Sequence, residues 1–444
     1  FIEIWVTQVP CLFKMIKYIA ASIAIILAFG YIVIFSVSDI PSFDDYYATL
    51  YLIKSFYFED AGYSERIHLI LSRHNEHRIV ISRVAATIYY AIFRQLNFHH
   101  LIVFQNLFQL AFVGIVISLY RRYAILNPAT FLFIAAFLFS ASFYQVTAFY
   151  WGGIQHYTVF VFAFACLLSL NGAEKPLSAE FGLAILLGTL ATVSFGNGIL
   201  ALLMGCFLLF ARSKYHLLAA WVLFTGIMVV YSFFIDKPEK LASSDFNFEW
   251  MARLLFTFLG SFLYVNPSVG QYANIILCML AGIAVAGFWI WLFLSGYAFR
   301  KPLLYVLFSL PVVTGILIAI SRFETKAAGG TAPRYMFFTA IIPVMIVLIL
   351  LDMKVIKWPQ LKYVLPAALV VWGLSFYNNY FALEAMKAEL KETAITWKSD
   401  KTTPLVYYQQ AESASEILEW AVCNKVMTNK IYEGACSRSE NVAQ

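Results

Sequence analysis

Eleven long apolar runs dominate this chain, near 18–37, 101–120, 129–146, 154–170, 180–195, 198–211, 215–235, 272–297, 303–320, 335–351 and 362–380. They constrain the fold more than any other feature. A helix needs roughly 20 apolar residues to cross hydrocarbon, and a backbone inside hydrocarbon must satisfy its own hydrogen bonds. The expectation is an all-α polytopic membrane protein with about eleven transmembrane helices and outward interfacial helices. Composition agrees: of 444 residues, 61% are hydrophobic and 13% charged, where a soluble domain carries about 25% charged. The net charge of +6 then reports topology first, and no nucleic-acid partner is expected.

The short loops carry the topological signal. Lys14 and Lys17 precede the first run, and "FIEIWVTQVPCLFK" lacks the small-residue cleavage site of a secretory leader. Met15 is an alternative start. With the N-terminus inside, an odd number of spans places Arg121/Arg122, Lys175, Arg212/Lys214, Arg300/Lys301 and Lys354/Lys357/Lys362 on the inner side, as the positive-inside rule requires. Segments 38–100, 236–271, 321–334 and the tail after 380 then face outward.

Two apolar segments fit that count only as interfacial helices. In "IVISRVAATIYYAIFRQL" (79–96), Arg83, Thr87, Tyr90 and Arg94 recur along one helical face, the pattern of a helix lying in the interface with its apolar side down. "FEWMARLLFTFLGSFLY" (248–264) reads the same way, as interfacial or half-inserted. Residues 1–380 are expected to form the transmembrane catalytic domain and 381–444 a small outward segment packed on the outer face. Within that tail "ESASEILEWAVCNKVM" is amphipathic. Cys423 and Cys436 are its only cysteines, positioned to close a disulfide in an oxidising compartment; two free thiols are the alternative. Cys166, Cys206 and Cys278 lie in spans as apolar filler. No Walker loop, dinucleotide fingerprint, zinc spacing or internal repeat appears.

Polarity collects in the outward segments. "SVSDIPSFDDYYATLYLIKS" (37–56) places Asp39, Asp44, Asp45 and Tyr46 just where the first helix leaves the bilayer. Adjacent carboxylates repel, so the pair needs a reason or a partner. Five of the seven histidines, His68, His74, His77, His99 and His100, follow within 68–100. "SRHNEHR" (72–78) gathers His74, Glu76, His77 and Arg78. "YWGGIQHY" (150–157) gives a turn with Gln155 and His156. "SFGNG" (194–198) joins two spans, and "SRFETKAAGGTAPRY" (321–335) carries Arg322, Lys326, Arg334 and Tyr335. Taken singly, each is explained as solvated loop, turn glycine or helix cap. Together they put a general base and fixed cations for a phosphate on one face, a set suited to displacing a phosphate leaving group at the membrane surface.

The first span followed by an acidic pair and tyrosine, the long outward loop with an interfacial helix, "HNEHR", "QHY", "SFGNG" and "PRY" resemble the GT-C superfamily of glycosyltransferases using lipid-linked sugars. They are closest to a bacterial branch akin to O-antigen-modifying glucosyltransferases. The resemblance covers most of 15–380. "HNEHR" stands where mannosyl and aminoarabinose transferases have a Pro-rich stretch, which bears on substrate rather than fold. It implies Asp44, then Asp45, as the catalytic carboxylate that takes the proton of an acceptor hydroxyl. Arg322 and Arg334, with Lys326, Arg78 and His77, would hold the leaving phosphate. Glu76, His74, Tyr46, Gln155, His156 and Tyr335 would contact substrate. The implied partners are a polyprenyl-phosphate-linked sugar, a glycan or lipid acceptor and membrane lipids. No cofactor is required, and a divalent cation at the acidic pair is left open. The implied location is the bacterial inner membrane, with N-terminus cytoplasmic and C-terminus periplasmic or extracellular.

Two other readings compete. An O-antigen or capsule polymerase or ligase also uses outward Arg and His residues, though in a large late loop, and here the rich loop is early. A lipid or solute transporter would want polar or charged groups near the bilayer midplane, where these runs carry only scattered Ser, Thr, Asn and Gln.

Overall fold

The computed structural model describes residues 2–235, 245–405 and 411–436, with side chains from Met15 onward. The protein is 80% helical. Helix α1 (Ile2–Phe35) leads into a π-helical turn (Asp45–Tyr51), α2 (Leu52–Tyr57) and α3 (Tyr63–Leu71). A two-stranded hairpin, β1 (Arg73–His74) and β2 (His77–Arg78), precedes α4 (Val80–Phe93) and α5 (Phe98–Tyr123). Then come α6 (Pro128–Leu138), α7 (Tyr144–Thr147), α8 (Tyr150–Gly172), α9 (Ala179–Ser194), α10 (Ile199–Ala211) and α11 (Tyr215–Phe233). The second half holds α12 (Phe248–Gly260), α13 (Gln271–Leu294), α14 (Tyr297–Arg300), α15 (Pro302–Ser321), α16 (Lys326–Gly330) and α17 (Pro333–Asp352). The last helices are α18 (Leu361–Ser399) and α19 (Ala411–Cys423).

Among the described residues, eight helical segments are long and apolar enough to cross a membrane: Met15–Phe35, α5, Pro128–Thr147, α8, α11, α13, α15 and α17. This is a multi-pass membrane protein. Of the other three expected spans, α9 and α10 are apolar but only 16 and 13 residues long. The run at 362–380 is the first half of the 39-residue α18, so the helix continues unbroken past residue 380. Helices α15 and α17 form the centre, with Leu307, Phe308, Phe337 and Ile341 fully buried. The outer helices α11 and α13 turn Leu223, Ile227, Ile276 and Leu280 outward, as a lipid-facing surface should.

The expected span at 129–146 is broken. Asn127 caps α6, accepting from the Ala129 and Thr130 amides at 2.9 and 3.0 Å, with Pro128 at the first helical position. The helix stops at Leu138 and resumes at Tyr144. Carbonyls near the break are met by polar side chains of neighbouring helices. Gln105 donates to Val146 and Phe149 at 3.0 and 3.1 Å, Asn106 to Thr147 at 2.9 Å, Gln109 to Leu138, and Trp372 to Phe139 at 3.0 Å. Irregular backbone at membrane depth needs such partners. These α5 amides therefore bind helix to helix.

Helix α4, at 14 residues, spans about 21 Å and cannot cross a hydrocarbon core of about 30 Å. Its apolar Val84, Ile88 and Ile92 are exposed, while Arg83, Thr87 and Tyr90 are buried. Three members of the polar stripe thus face the protein, and only Arg94, at the helix end, is exposed. Helix α12 differs from a helix resting in an interface: it lies backbone to backbone on α13. A Cβ at Gly260 would overlap the Cys278 carbonyl, and one at Gly282 the Phe256 carbonyl.

The tail packs on the segment between α1 and α5. The Leu96 amide donates to the Val426 carbonyl at 2.7 Å, Asn429 Nδ2 to the Asp39 carbonyl at 2.7 Å, and Thr428 to Gln95 at 3.0 Å. Trp420 stands edge-on to Phe58 at 5.0 Å. Cys423 and Cys436 are disulfide-bonded, with Cα atoms 5.5 Å apart.

Candidate functional site

The acidic pair resolves into two unlike carboxyls. Phe43 has φ +47°, a left-handed conformation unusual for a bulky residue, and its ring lies 4.9 Å from Trp151. That turn sends the two carboxylates different ways. Asp45 is 2% exposed, and Oδ2 accepts from the Ser42 amide at 3.1 Å. Burial pushes its carboxyl well above the ordinary carboxylate range, and the Asp44 charge adds to the rise. Asp44 keeps 29% of its side chain exposed and sits 3.5 Å from His74 Nε2. A small hollow beside it is lined by Gln155, Trp151 and Tyr150. Repulsion is avoided because one carboxyl is held away from charge and the other has a histidine. Tyr46 is buried and donates to the Pro41 carbonyl at 3.0 Å, so it fixes the turn from inside and presents no free hydroxyl to a substrate.

"RHNEHR" is a hairpin turning at Asn75, whose φ is +52°. Cross-strand partners share a face. His74 pairs with His77 and Arg73 with Arg78, so histidines point one way and arginines the other. Arg78 is 4% exposed, donates to the Tyr231 and Ile235 carbonyls at 3.0 and 3.1 Å, and lies over the Tyr231 ring at 4.0 Å. Arg73 reaches the Ser232 carbonyl. Arg83 donates to the Leu69 and Ser72 carbonyls at 2.9 and 2.6 Å, capping α3 where a cation is favoured. Three arginines thereby staple the hairpin to the ends of α3 and α11. Arg78 holds the hairpin and also lines the cavity beside it.

The histidine face closes over a cavity of about 320 Å³. Its polar end is made by Glu76, His77, Arg78, Asn197, Ser321, Arg322 and Tyr335; its apolar walls include Phe233, Leu317 and Ile320. Those three are 53%, 39% and 49% exposed, so the walls open sideways onto the lipid-facing surface. Arg322 pairs with Glu76 at 2.9 Å across the polar end. Asn197 donates to Thr314 at 3.3 Å, and its buried Oδ1 has no hydrogen-bond partner among the described residues.

His77 sits in a tight berth. Its ring lies 4.4 Å from Phe195. A Cβ at Gly196 would meet ring atoms on the near edge, with Cε1 at 2.9 Å. Neither Gly196 nor Gly198 has positive φ, so close approach, not turn geometry, calls for glycine here: at Gly198 a Cβ would strike the Ala191 carbonyl. Burial lowers the His77 pKa to about 4, opposed by Glu76 and reinforced by Arg322. At neutral pH His77 is an uncharged hydrogen-bonding group, not a cation.

His156 lies buried between Phe195 and Phe338, at 4.8 and 5.1 Å. The chain thus links Asp44 to His74, His74 to His77, and His77 to the cavity. Tyr335 joins the cavity wall, and Arg334 lies over its ring at 5.0 Å. Gln155 donates to the Trp151 carbonyl at 2.8 Å and faces the Asp44 hollow. Lys326 is turned away, over the Trp250 ring at 4.1 Å. Among the described residues, no group of three or more His, Cys, Asp or Glu side chains converges as a metal centre would need. Sequence reading missed the hairpin and Asn197; the alternation R-H-N-E-H-R about an asparagine was the one available signal. Comparison with protein-family models, curated proteins and solved structures finds no match to this chain.

Proposed function

We propose that the protein is a GT-C-type glycosyltransferase acting at the outer face of the bacterial inner membrane. Its donor is a polyprenyl-phosphate sugar, and its acceptor is a surface glycan or lipid. The observation that carries this reading is the shape of the cavity. Its apolar walls reach the exposed surface and its head is polar, and the His77–His74 pair connects that head to Asp44, a partly exposed carboxylate that follows the first span. A lipid carrier lies along Phe233, Leu317 and Ile320, and its phosphate takes the place of Glu76 at Arg322. Asp44 accepts the acceptor hydroxyl's proton as that oxygen bonds to the anomeric carbon. The carbon–oxygen bond to phosphate breaks, and the leaving phosphate keeps the electron pair. Arg322, with Arg334 behind the wall residue Tyr335, stabilises that charge, usually the largest catalytic contribution. His74 orients Asp44; burial disfavours charge on Asp45, so the solvent-reaching Asp44 is the carboxylate placed to take the proton.

The test is sugar transfer by purified protein from a synthetic polyprenyl-phosphate donor, beside donor affinity. Asp44→Asn should still bind donor, yet lose about 10²–10⁴-fold in transfer. Full transfer by this variant would refute the carboxylate mechanism.

A further inference from the structure

A second cavity, of about 380 Å³, lies at the opposite end of the molecule. Asp39 meets the first residue of α5, its Oδ1 accepting from the Phe98 amide at 2.6 Å. Arg122, at the last turn of the same 26-residue helix, lines this cavity. The two ends of α5 are about 39 Å apart.

Three chain segments bring cations here: Arg122 from α5, Arg212 after α10, and Arg300 with Lys301 before α15. No lining residue is acidic. Two carboxylates stand nearby and both are engaged: Asp352 by Lys301 at 3.2 Å and the Tyr297 hydroxyl at 3.0 Å, and Glu174, which also feels Arg212, by Lys214 at 2.8 Å. Arg122 and Arg300 have no carboxylate partner among the described residues. Asn171, 8% exposed, also lines the cavity and accepts from Arg212 at 2.6 Å through Oδ1. Its side-chain NH2 makes no hydrogen bond among the described residues.

Arg122 and Arg212 sit at helix C-termini, where cations offset the macrodipole and need no ligand. Arg300 likewise ends the short α14 and donates to the Ser295 carbonyl at 3.3 Å, but Arg300 and Lys301 also face a second helix. They stand at the N-terminus of the 20-residue α15, which has no side-chain cap. Cations there add to the helix's positive end. An anion seated among them would relieve both, and helix N-termini receive phosphates well. Phe299, 44% exposed, puts an apolar rim beside the opening, on the lipid-facing side.

We infer that this cavity is a phosphate-binding site, and that its ligand is the phosphate of an anionic phospholipid headgroup or of a soluble phosphate ester. The site is independent of the proposed transferase chemistry. The test uses full-length protein in phosphatidylcholine nanodiscs, with phosphatidylglycerol titrated in and retained lipid read by native mass spectrometry. In parallel, glycerol phosphate is added in solution and thermal stability is read against chloride at equal ionic strength. Retention of phosphatidylglycerol alone assigns the lipid; a shift with glycerol phosphate assigns a soluble ester. The double variant Arg122→Gln/Arg300→Gln should weaken whichever binding is found by about tenfold or more. Arg121→Gln/Lys362→Gln, which removes two exposed cations outside the cavity, should leave it unchanged. No preference for phosphatidylglycerol over phosphatidylcholine together with no effect of glycerol phosphate beyond chloride would overturn the inference. So would equal weakening by both double variants. If the cavity variant does not fold, the wild-type titrations alone decide.

Discussion

Replacing Gly196 by alanine adds one methyl group directly against the His77 imidazole. The new carbon would face Cε1 at 2.9 Å and Cγ at 3.3 Å, with Nδ1 nearer still. Apolar contact wants about 3.5–4.0 Å, so the ring must retreat by about 1 Å. It has little room, because Phe195 stands at 4.4 Å and Arg73 and Arg78 pin the strand ends to α11. Overpacking of this kind costs about 1–3 kcal/mol. Gly226, in α11, is the control: nothing lies within 4 Å of its would-be Cβ, and Gly→Ala in a helix interior contributes about 0.5–1 kcal/mol of stability. Thermal unfolding in detergent should therefore shift down for Gly196→Ala and up or not at all for Gly226→Ala. Donor binding should fall in Gly196→Ala alone, since His77 forms part of the cavity. Truncating the ring removes the clash, so Gly196→Ala in a His77→Ala background should cost almost nothing more. If Gly196→Ala destabilises equally with and without His77, the close approach is not what requires glycine, and the reasoning fails.

Arg334→Ala should weaken both donor affinity and turnover, whereas Arg78→Ala should lower thermal stability by leaving the Tyr231 and Ile235 carbonyls without their donor; unchanged stability in Arg78→Ala would refute the staple. Breaking the Cys423–Cys436 bond, with 13 residues of separation, should lower the tail's local stability by about 3 kcal/mol, seen as faster limited proteolysis of Cys423→Ser/Cys436→Ser. Burial raises the Asp39 carboxyl to about 6, above an unfolded value of about 3.9. The folded form then binds the proton more tightly, so this group's stabilisation is full below about pH 4 and is lost as pH rises to about 6. Tail docking, followed through the fluorescence of Trp420 beside Phe58, should weaken over that window, and Asp39→Asn should flatten the dependence.

Class and broad architecture were legible in the sequence, because hydrocarbon allows few ways to satisfy a backbone and long apolar runs advertise the helical one. The polar clusters were legible too, since charge and histidine are conspicuous against such a background. Cys423 and Cys436, the only two cysteines of the tail, are expected to pair, and they do. Tertiary structure decided what each polar residue does. Asp44 and Asp45 are neighbours of identical type, and only the turn at Phe43 makes one buried and the other half-exposed beside His74. Arg78, Arg322 and Lys326 carry the same charge, yet Arg78 grips backbone carbonyls at the cavity's edge, Arg322 pairs with Glu76 across it and Lys326 lies on Trp250. The glycines of "GNG" read as a turn, and the space they leave for His77 depends on a hairpin more than a hundred residues earlier. The break near Phe139 was invisible for a related reason: its cost is met by Gln105, Asn106, Gln109 and Trp372, from other helices. A local pattern can specify a helix because its hydrogen bonds are local. Burial, pairing and the protonation of a carboxyl depend on groups brought together only when the helices pack.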